Sequence, residues 1–347
     1  MKIGIIFPGQ GSQYVGMGKS FYDKERIVQE LFEQASGCLD QNFVKLCFAS
    51  SERDLTETIN AQTSIFLISA AIYSVLNQKY NIVPDVVAGH SSGEYSAVFA
   101  AQGMNFVDTL YLLKKRANFM SEATKGSIGG MLAVIGLPLE KVKEICEKYN
   151  KPENNDFVVE IVNFNAPNQF VLSGTLPELD QVKEEVKFLK GKAIDLNVAG
   201  AFHSRLMKDS EKSFATYLVK VDLKDLKIPL IDNVAAKVIR TKEQVKDSLV
   251  RQMSHPVLWW PSMQYFKEMD LILEVGPGNK LAKILSREWP EKEVYAINEI
   301  NDMYDLLKRL DIEIKKDENE EEVEIEIEED LDIIPDNLDK DKNGNEE

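Results

Sequence analysis

The sequence has few of the residues that bind metals or form disulfides. Its 347 residues include three histidines and three cysteines. Cys38, Cys47 and Cys146 show no C-x-x-C spacing and are odd in number, which indicates reduced thiols in a cytoplasmic protein. With so few histidines, we expect no metal site.

Long hydrophobic runs are also lacking. The longest, Ile65 to Leu76, is interrupted by serine and tyrosine and is too short to span a bilayer. It predicts a buried helix of the core. The start of the chain turns glycine-rich after a short apolar run and does not resemble a signal peptide. We therefore expect no membrane association.

An excess of basic charge is absent as well. The formal net charge is −16, and most of it is local: residues 316–347 hold sixteen acidic and three basic residues, which leaves about −3 for the rest. This composition predicts a disordered, solvated tail over 316–347. A negative field repels phosphates, so nucleic acid is not an expected partner.

Helix and strand patterns alternate along the chain, which predicts an α/β fold. We expect a large α/β-hydrolase-like domain with a central parallel sheet, formed by residues 1–126 and 199–308. The pattern over residues 127–198 is β-α-β-β-α-β, typical of an inserted ferredoxin-like subdomain. In the large domain, the pattern predicts a helix starting at His203 and a strand over Pro229–Val234.

The stretch GHSSGEYSA at residues 89–97 contains the pattern G-x-S-x-G. Only Ser91 fits its central position, between Gly89 and Gly93. An apolar strand precedes the motif and a helical pattern follows it, as a strained strand-to-helix turn requires. Ser91 is therefore the candidate nucleophile; the alternative is a glycine-rich turn without chemistry.

A serine hydroxyl needs a neighbouring base before it becomes a good nucleophile. His90 adjoins Ser91, where consecutive side chains point apart, and is a candidate structural donor in the turn. His203, in GAFHSRLM, follows a predicted strand and small residues; His255 precedes a proline and a pair of tryptophans. The sequence favours His203 as the base and leaves His255 open.

An oxyanion needs two backbone N–H donors. The N–H of Ser92, directly after the candidate nucleophile, is one. The loop PGQGSQ at the end of the first predicted strand is a suitable place for the other. The alternatives for this loop are a plain turn or a phosphate-binding loop, but its sequence lacks the lysine of a P-loop.

Six ordered motifs resemble malonyl-CoA:acyl-carrier-protein transacylases, which serve type II fatty-acid synthesis and have close relatives in polyketide synthases. The similarity covers roughly residues 1–300. The motifs are GQGSQ, GHSSGEYSA, KKRANFM, NFNAPNQFVLSG, GAFHSRLM and EVGPGNKL.

The resemblance implies a role for each matching residue. Ser91 would be acylated, and His203 would act as general base and then as general acid. The backbone amides of Gln10 and Ser92 would form the oxyanion hole, and the backbone carbonyl of Gln252 would orient His203.

The substrate-binding roles follow from the same resemblance. Arg116 would form a two-point pair with the free carboxylate of a malonyl group, as a planar guanidinium does and a lysine does not. Asn163 and His90 would line the cleft. One position departs from the family pattern: a large apolar residue, often leucine, is usual where this chain has Ser92. That hydroxyl predicts a more polar cleft with less strict malonyl selectivity.

The implied function is ping-pong transfer of a malonyl group from malonyl-CoA to the phosphopantetheine thiol of an acyl carrier protein, by a monomer without a cofactor. A basic patch formed by Arg205, Lys208, Lys190 and Lys192 is the candidate docking site for the carrier. The alternatives are a trans-acting acyltransferase that loads a polyketide synthase, an acyl hydrolase of the same fold, and a carrier-docking module without activity.

Overall fold

The computed structural model describes residues 1–124, 129–198 and 200–315. The predicted acidic tail at 316–347 lies outside the described residues.

The described residues form ten strands: β1 Ile3–Phe7, β2 Val86–Gly89, β3 Gly129–Ile135, β4 Val159–Ala166, β5 Gln169–Thr175, β6 Lys192–Asp195, β7 Leu230–Ile231, β8 Val238–Ile239, β9 Leu271–Val275 and β10 Glu293–Ile297. The same ranges contain fourteen α-helices: α1 Lys19–Tyr22, α2 Arg26–Leu39, α3 Phe43–Ala49, α4 Glu52–Thr56, α5 Thr58–Ser74, α6 Gly93–Ala100, α7 Phe106–Thr124, α8 Leu139–Tyr149, α9 Leu176–Phe188, α10 Lys208–Leu218, α11 Lys242–Arg251, α12 Trp259–Met263, α13 Lys280–Glu288 and α14 Ile300–Arg309.

The larger sheet has the strand order β10-β9-β1-β2-β7-β8. All its neighbours are parallel except the β7–β8 pair. The expected α/β class with a central, mainly parallel sheet is therefore confirmed. The loops that follow β1 and β2 leave the same edge of the sheet, where open α/β sheets usually place their ligands.

The second sheet is antiparallel, with the order β4-β5-β3-β6. Its strands have two different faces because successive side chains alternate. Leu132 and Val134 of β3 pack in a core cluster with residues of α8 and α9. Met131 and Ala133 point the other way and line a cleft against the larger sheet's loops. This sheet therefore supplies one wall of the cleft.

A bulge in β4 changes what that wall presents. The register with β5 shifts between Ile161 and Asn163, and an inserted residue re-aims the side chains after it. Val162 joins the main core cluster, whereas Asn163 lines the cleft. Here a polar residue reaches the cleft wall because the alternation is broken.

The apolar helix is a core element. Thr58–Lys79, which is α5 with a π-helical turn at Val75–Lys79, is long and apolar enough to cross a membrane, but most of it is buried inside the protein. Burial on all sides is what a helix that is hydrophobic all round requires.

Two predicted elements have different bounds in the structure. The strand predicted over Pro229–Val234 covers Leu230–Ile231 alone, because the Asp232 carboxylate accepts hydrogen bonds from the N–H groups of Val234, Ala235 and Lys237 and turns the chain back into β8. The helix predicted from His203 begins at Lys208, since His203 has a left-handed φ of 63°.

Candidate active site

The site is built on the turn between β2 and α6. Ser91 occupies its tip with a φ of 53°, a conformation that costs energy for a residue with a side chain and is common at functional turns. Glycine is required on both sides. A Cβ on Gly89 would lie 1.9 Å from the carbonyl oxygen of Gly93, and one on Gly93 would lie 2.4 Å from that of Phe7. The turn matches the strained elbow that the motif predicts.

Asn233, which follows β7, pins this turn. Its Oδ1 accepts the N–H of Ser91 at 2.8 Å, and its Nδ2 donates to the carbonyl of Gly89 at 2.7 Å. The residue is fully buried. These bonds satisfy two backbone groups that the left-handed turn removes from regular structure. The sequence pattern does not single out Asn233, which falls inside the strand predicted over Pro229–Val234.

His203 lies beside Ser91. Its Nε2 is 2.8 Å from Ser91 Oγ, and its Nδ1 is 2.7 Å from the backbone carbonyl oxygen of Gln252. A carbonyl accepts only, so Nδ1 carries the proton and Nε2 is free to accept one from the serine. Burial, together with the charge of Arg116, lowers the pKa of His203 to about 3. The imidazole is therefore neutral at neutral pH.

Arg116 lies fully buried on α7. Its Nη2 is 3.1 Å from Ser91 Oγ and 2.9 Å from Gln252 Oε1, and its Nη1 is 2.6 Å from Gln62 Oε1. The guanidinium also lies over the Tyr95 ring, 5.6 Å from its centroid. Among the described residues, no carboxylate forms an ion pair with it. An arginine remains charged in such a position, so the site holds a cation without an anionic partner.

Two backbone N–H groups flank the serine. Within the described parts of the chain, neither Gln10 N–H nor Ser92 N–H donates a hydrogen bond to another residue. Gln10 and Ser91 both line the cleft. Backbone donors away from water are rarely left without a partner. An unpaired N–H in Gln10, at the cleft, and in Ser92, next to Ser91, would suit a developing oxyanion.

The Ser92 side chain does not line the cleft. Its hydroxyl is buried, with 3 % of the residue exposed, and it faces Gly9 rather than the cleft. The left-handed conformation of Ser91 turns consecutive side chains apart. The prediction that Ser92 makes the cleft more polar is therefore wrong.

His90 and Asn163 both line the cleft. His90 Nε2 lies 2.9 Å from Asn165 Oδ1 and 3.4 Å from Asn163 Nδ2, and its ring meets the Trp259 ring edge to face. Burial lowers the pKa of His90. His255 lies outside the site and binds the carbonyl of Arg251 with its Nδ1 at 2.7 Å. The histidine side chain within hydrogen-bond distance of Ser91 Oγ is therefore that of His203.

Two residues of the predicted basic patch, Arg205 and Lys208, form ion pairs. The Arg205 guanidinium bonds to Asn150 Oδ1 at 2.8 Å and to the carbonyl of Lys151 at 2.8 Å, and it pairs with Glu160. Lys208 pairs with Glu211 at 2.7 Å. Arg205 therefore ties the loop after α8 to β4, and carrier docking on this patch with Lys190 and Lys192 stays a prediction.

These features define a class: an α/β acyltransferase in which a histidine and an arginine both lie within hydrogen-bond distance of one serine at a cleft. Residues 5–301 match the acyl transferase domain family. The chain is 36% identical to the malonyl CoA-acyl carrier protein transacylase of Bacillus subtilis over 289 residues, which is 82% of this chain and 90% of that protein.

Solved structures agree. An acyl-carrier-protein S-malonyltransferase from Burkholderia pseudomallei superposes with a TM-score of 0.84 at 35% identity, covering 89% of this chain and all of that one. A malonyl-transacylase solved with its type II polyketide acyl-carrier protein superposes with a TM-score of 0.85 at 29% identity, with the same coverage. The chain belongs to the malonyl-CoA:acyl carrier protein transacylase family, as the resemblance implied.

Proposed function

We propose that this protein moves a malonyl group from malonyl-CoA to the phosphopantetheine thiol of an acyl carrier protein, through a malonyl ester on Ser91. The observation that carries the proposal is the position of Arg116, a buried cation 3.1 Å from Ser91 Oγ and without a carboxylate partner among the described residues. A malonyl group attached to Ser91 brings a free carboxylate to that cation. A guanidinium pairs with a carboxylate through two parallel hydrogen bonds.

The first half-reaction forms the ester. Ser91 Oγ attacks the thioester carbonyl of malonyl-CoA while His203 Nε2 takes the hydroxyl proton. The N–H groups of Gln10 and Ser92 stabilise the oxyanion. The C–S bond then breaks, and the thiol of CoA leaves with the proton from His203. The backbone carbonyl of Gln252 stabilises the imidazolium that exists between the two proton transfers.

The second half-reaction is the same chemistry in reverse. The phosphopantetheine thiol of the carrier gives its proton to His203 and attacks the ester carbonyl. The ester C–O bond breaks, and His203 returns the proton to Ser91. The chemistry uses the serine, the histidine and backbone amides, so we propose that no metal or other cofactor takes part.

Two alternatives share this site. A trans-acting acyltransferase of polyketide synthesis would run the same steps with other carriers. A hydrolase would pass the acyl group to water, but a hydrolase of varied acyl chains gains nothing from a buried cation, because an apolar chain leaves that charge unpaired. The curated relatives are named as malonyl transacylases, which supports the main proposal.

We also propose a finer description of the fold. The antiparallel order β4-β5-β3-β6 with α8 and α9 on one face supports a ferredoxin-like subdomain over residues 127–198, inserted into an α/β-hydrolase-like domain. We propose a cytoplasmic location, where reduced cysteines such as buried Cys47 and Cys146 are stable.

The test is transfer of radiolabelled malonyl from malonyl-CoA to a carrier protein, with apo-carrier as the control that lacks the thiol. We expect label on the holo-carrier, parallel double-reciprocal plots, and no transfer by Ser91→Ala. Release of free malonate at the same rate with and without carrier would instead establish a hydrolase.

A further inference from the structure

The direction in which Arg116 points is set by two side-chain amides. Nη1 donates to Gln62 Oε1 at 2.6 Å, and Nη2 donates to Gln252 Oε1 at 2.9 Å. Both acceptors are uncharged, so they orient the guanidinium without neutralising it. An amide does this only while its oxygen, not its nitrogen, faces the arginine.

Several acceptors fix the orientation of the Gln252 amide. Its Nε2 lies 3.0 Å from the carbonyl oxygen of Ser91 and 3.3 Å from Asn233 Oδ1, and it also donates to the Glu94 carboxyl group. Asn233 Oδ1 already accepts the N–H of Ser91. The Glu94 carboxyl group is thus the main side-chain acceptor that holds the nitrogen of Gln252 away from Arg116.

Glu94 is built into this position. It lies in the first turn of α6, directly after the Ser91 turn, and is fully buried. Its second carboxyl oxygen accepts a hydrogen bond from Ser248 Oγ of α11 at 2.8 Å. Burial, together with the charge of Asp232, raises the pKa of Glu94 to about 8. In either protonation state, one carboxyl oxygen remains an acceptor for Gln252.

We propose that Glu94 is a positioning residue for acyl-group specificity: by fixing the Gln252 amide, it presents Gln252 Oε1 to Arg116 and holds the guanidinium where the carboxylate of a malonyl group binds. The proposal rests on the proposed function, since it assigns that carboxylate to Arg116. Removal of the acceptor at position 94 lets the amide turn, and its NH₂ group then faces the guanidinium, donor against donor.

Malonyl and acetyl groups respond differently to this change. Only the malonyl group has a carboxylate, so its binding depends on the orientation of Arg116. The acetyl group needs Ser91, His203 and the backbone donors alone. The preference for malonyl over acetyl therefore reports the role of Glu94, whereas a purely structural defect lowers both rates together.

The experiment compares kcat/KM for malonyl-CoA and acetyl-CoA in the native protein, Glu94→Met and Glu94→Gln. Methionine fills a similar volume without an acceptor. Glutamine keeps a carbonyl oxygen for Gln252 and turns its NH₂ toward Ser248 Oγ. We expect Glu94→Met to lower the malonyl-to-acetyl ratio at least tenfold, mainly through the KM for malonyl-CoA, and Glu94→Gln to stay within threefold of the native ratio.

A double-mutant cycle shows whether Glu94 acts through Gln252. Gln252→Ala keeps the backbone carbonyl that His203 uses and removes the amide. We expect the double variant Glu94→Met/Gln252→Ala to have a malonyl-to-acetyl ratio no lower than that of Gln252→Ala alone. If Glu94 acts through the Gln252 amide, removing that amide leaves no further effect for Glu94→Met, so the two changes are not additive. Independent, multiplying effects would overturn the proposal, as would a native ratio in Glu94→Met.

Two controls keep the result decisive. Glu94→Asp withdraws the carboxyl group from Gln252 and replaces Glu94→Met if that variant does not fold, with the same expected loss of ratio. Arg116→Ala reports on the proposed function itself. If Arg116→Ala abolishes the malonyl preference but folded Glu94→Met and Glu94→Asp keep the native ratio, the inference about Glu94 fails while the function stands. If the native protein shows no malonyl preference, the function fails first.

Discussion

The Nη2 atom of Arg116 lies 3.1 Å from the Oγ atom of Ser91, so the cation and the proposed attacking oxygen are neighbours. The proposed malonyl ester on Ser91 would bring its free carboxylate to the guanidinium, and a longer chain without a carboxylate would not pair with it. A longer acyl tail displaces water from a buried charge without pairing it, which is costly.

Arg116→Lys tests two-point recognition. A charge-assisted hydrogen bond contributes about 1.5–3 kcal/mol, and lysine cannot reproduce the planar pair. We expect kcat/KM for malonyl-CoA to fall roughly a hundredfold in Arg116→Lys and further in Arg116→Ala, with a much smaller change for acetyl-CoA. Equal losses for the two thioesters would show that the arginine supports the fold and not the selection.

The pH dependence of acylation tests the state of His203. Its pKa is lowered from 6.5 to about 3, so the neutral base persists well below the pH at which an ordinary histidine is protonated. We expect the rate of Ser91 acylation to show no inflection near pH 6.5 between pH 5 and 8. Stopped-flow acylation by malonyl-CoA measures this directly, and a drop centred near 6.5 would contradict the buried geometry.

Asn233→Ala tests the pinning of the turn. The change leaves the N–H of Ser91 and the carbonyl of Gly89 without their partners, at a cost of about 1–3 kcal/mol for each buried group. We expect a lower free energy of unfolding in urea together with a lower kcat. Asn279→Ala is the matched control, since this exposed residue makes no capping hydrogen bond. If both changes lower the free energy of unfolding and kcat to a similar extent, the Ser91 turn does not depend on Asn233.

A pair of glycine substitutions tests the tight turn. A Cβ on Gly93 meets the backbone oxygen of Phe7 at 2.4 Å, whereas a Cβ on Gly37 in α2 meets nothing within 4 Å. We expect Gly93→Ala to destabilise the protein by roughly 3 kcal/mol or more. Gly37→Ala should leave stability unchanged or raise it by about 0.5–1 kcal/mol. Comparable melting temperatures for the two variants would disprove the close approach.

The raised pKa of Glu94 makes stability depend on pH. The native state favours the protonated carboxyl group, whereas the unfolded chain ionises near 4.5. The contribution of Glu94 to the free energy of unfolding is therefore fully present below about pH 4.5 and is lost as the pH rises toward 8. We expect Glu94→Gln to stabilise the protein, relative to native, more at pH 8 than at pH 5. Urea titrations at the two values measure this, and the reverse order would contradict the burial of an uncharged Glu94.

Local patterns predict the parts of the structure that local forces determine. The helix Leu139–Tyr149 is the first helix of the predicted β-α-β-β-α-β pattern, because its apolar residues recur at helical spacing and a proline precedes it. The G-x-S-x-G motif predicts the Ser91 turn, since only glycine tolerates the close backbone approach on either side.

Contacts between distant segments were beyond such patterns. Ser91 meets Asn233 and Gln252 across more than 140 residues of chain, and nothing near either residue indicates that partnership. The sequence does not indicate the burial of Arg116 either, because a lone arginine on an apolar helix usually extends to solvent. The contacts of Arg205 do not follow from local pattern either, because its partners Glu160 and Asn150 lie 45 and 55 residues away.

The most direct test of the central claim is the intact mass of the protein after incubation with malonyl-CoA or acetyl-CoA, without a carrier. We expect a malonyl adduct on the native protein, little acetyl adduct, and none of either on Ser91→Ala. A malonyl adduct that persists in Ser91→Ala would contradict the assignment of the nucleophile.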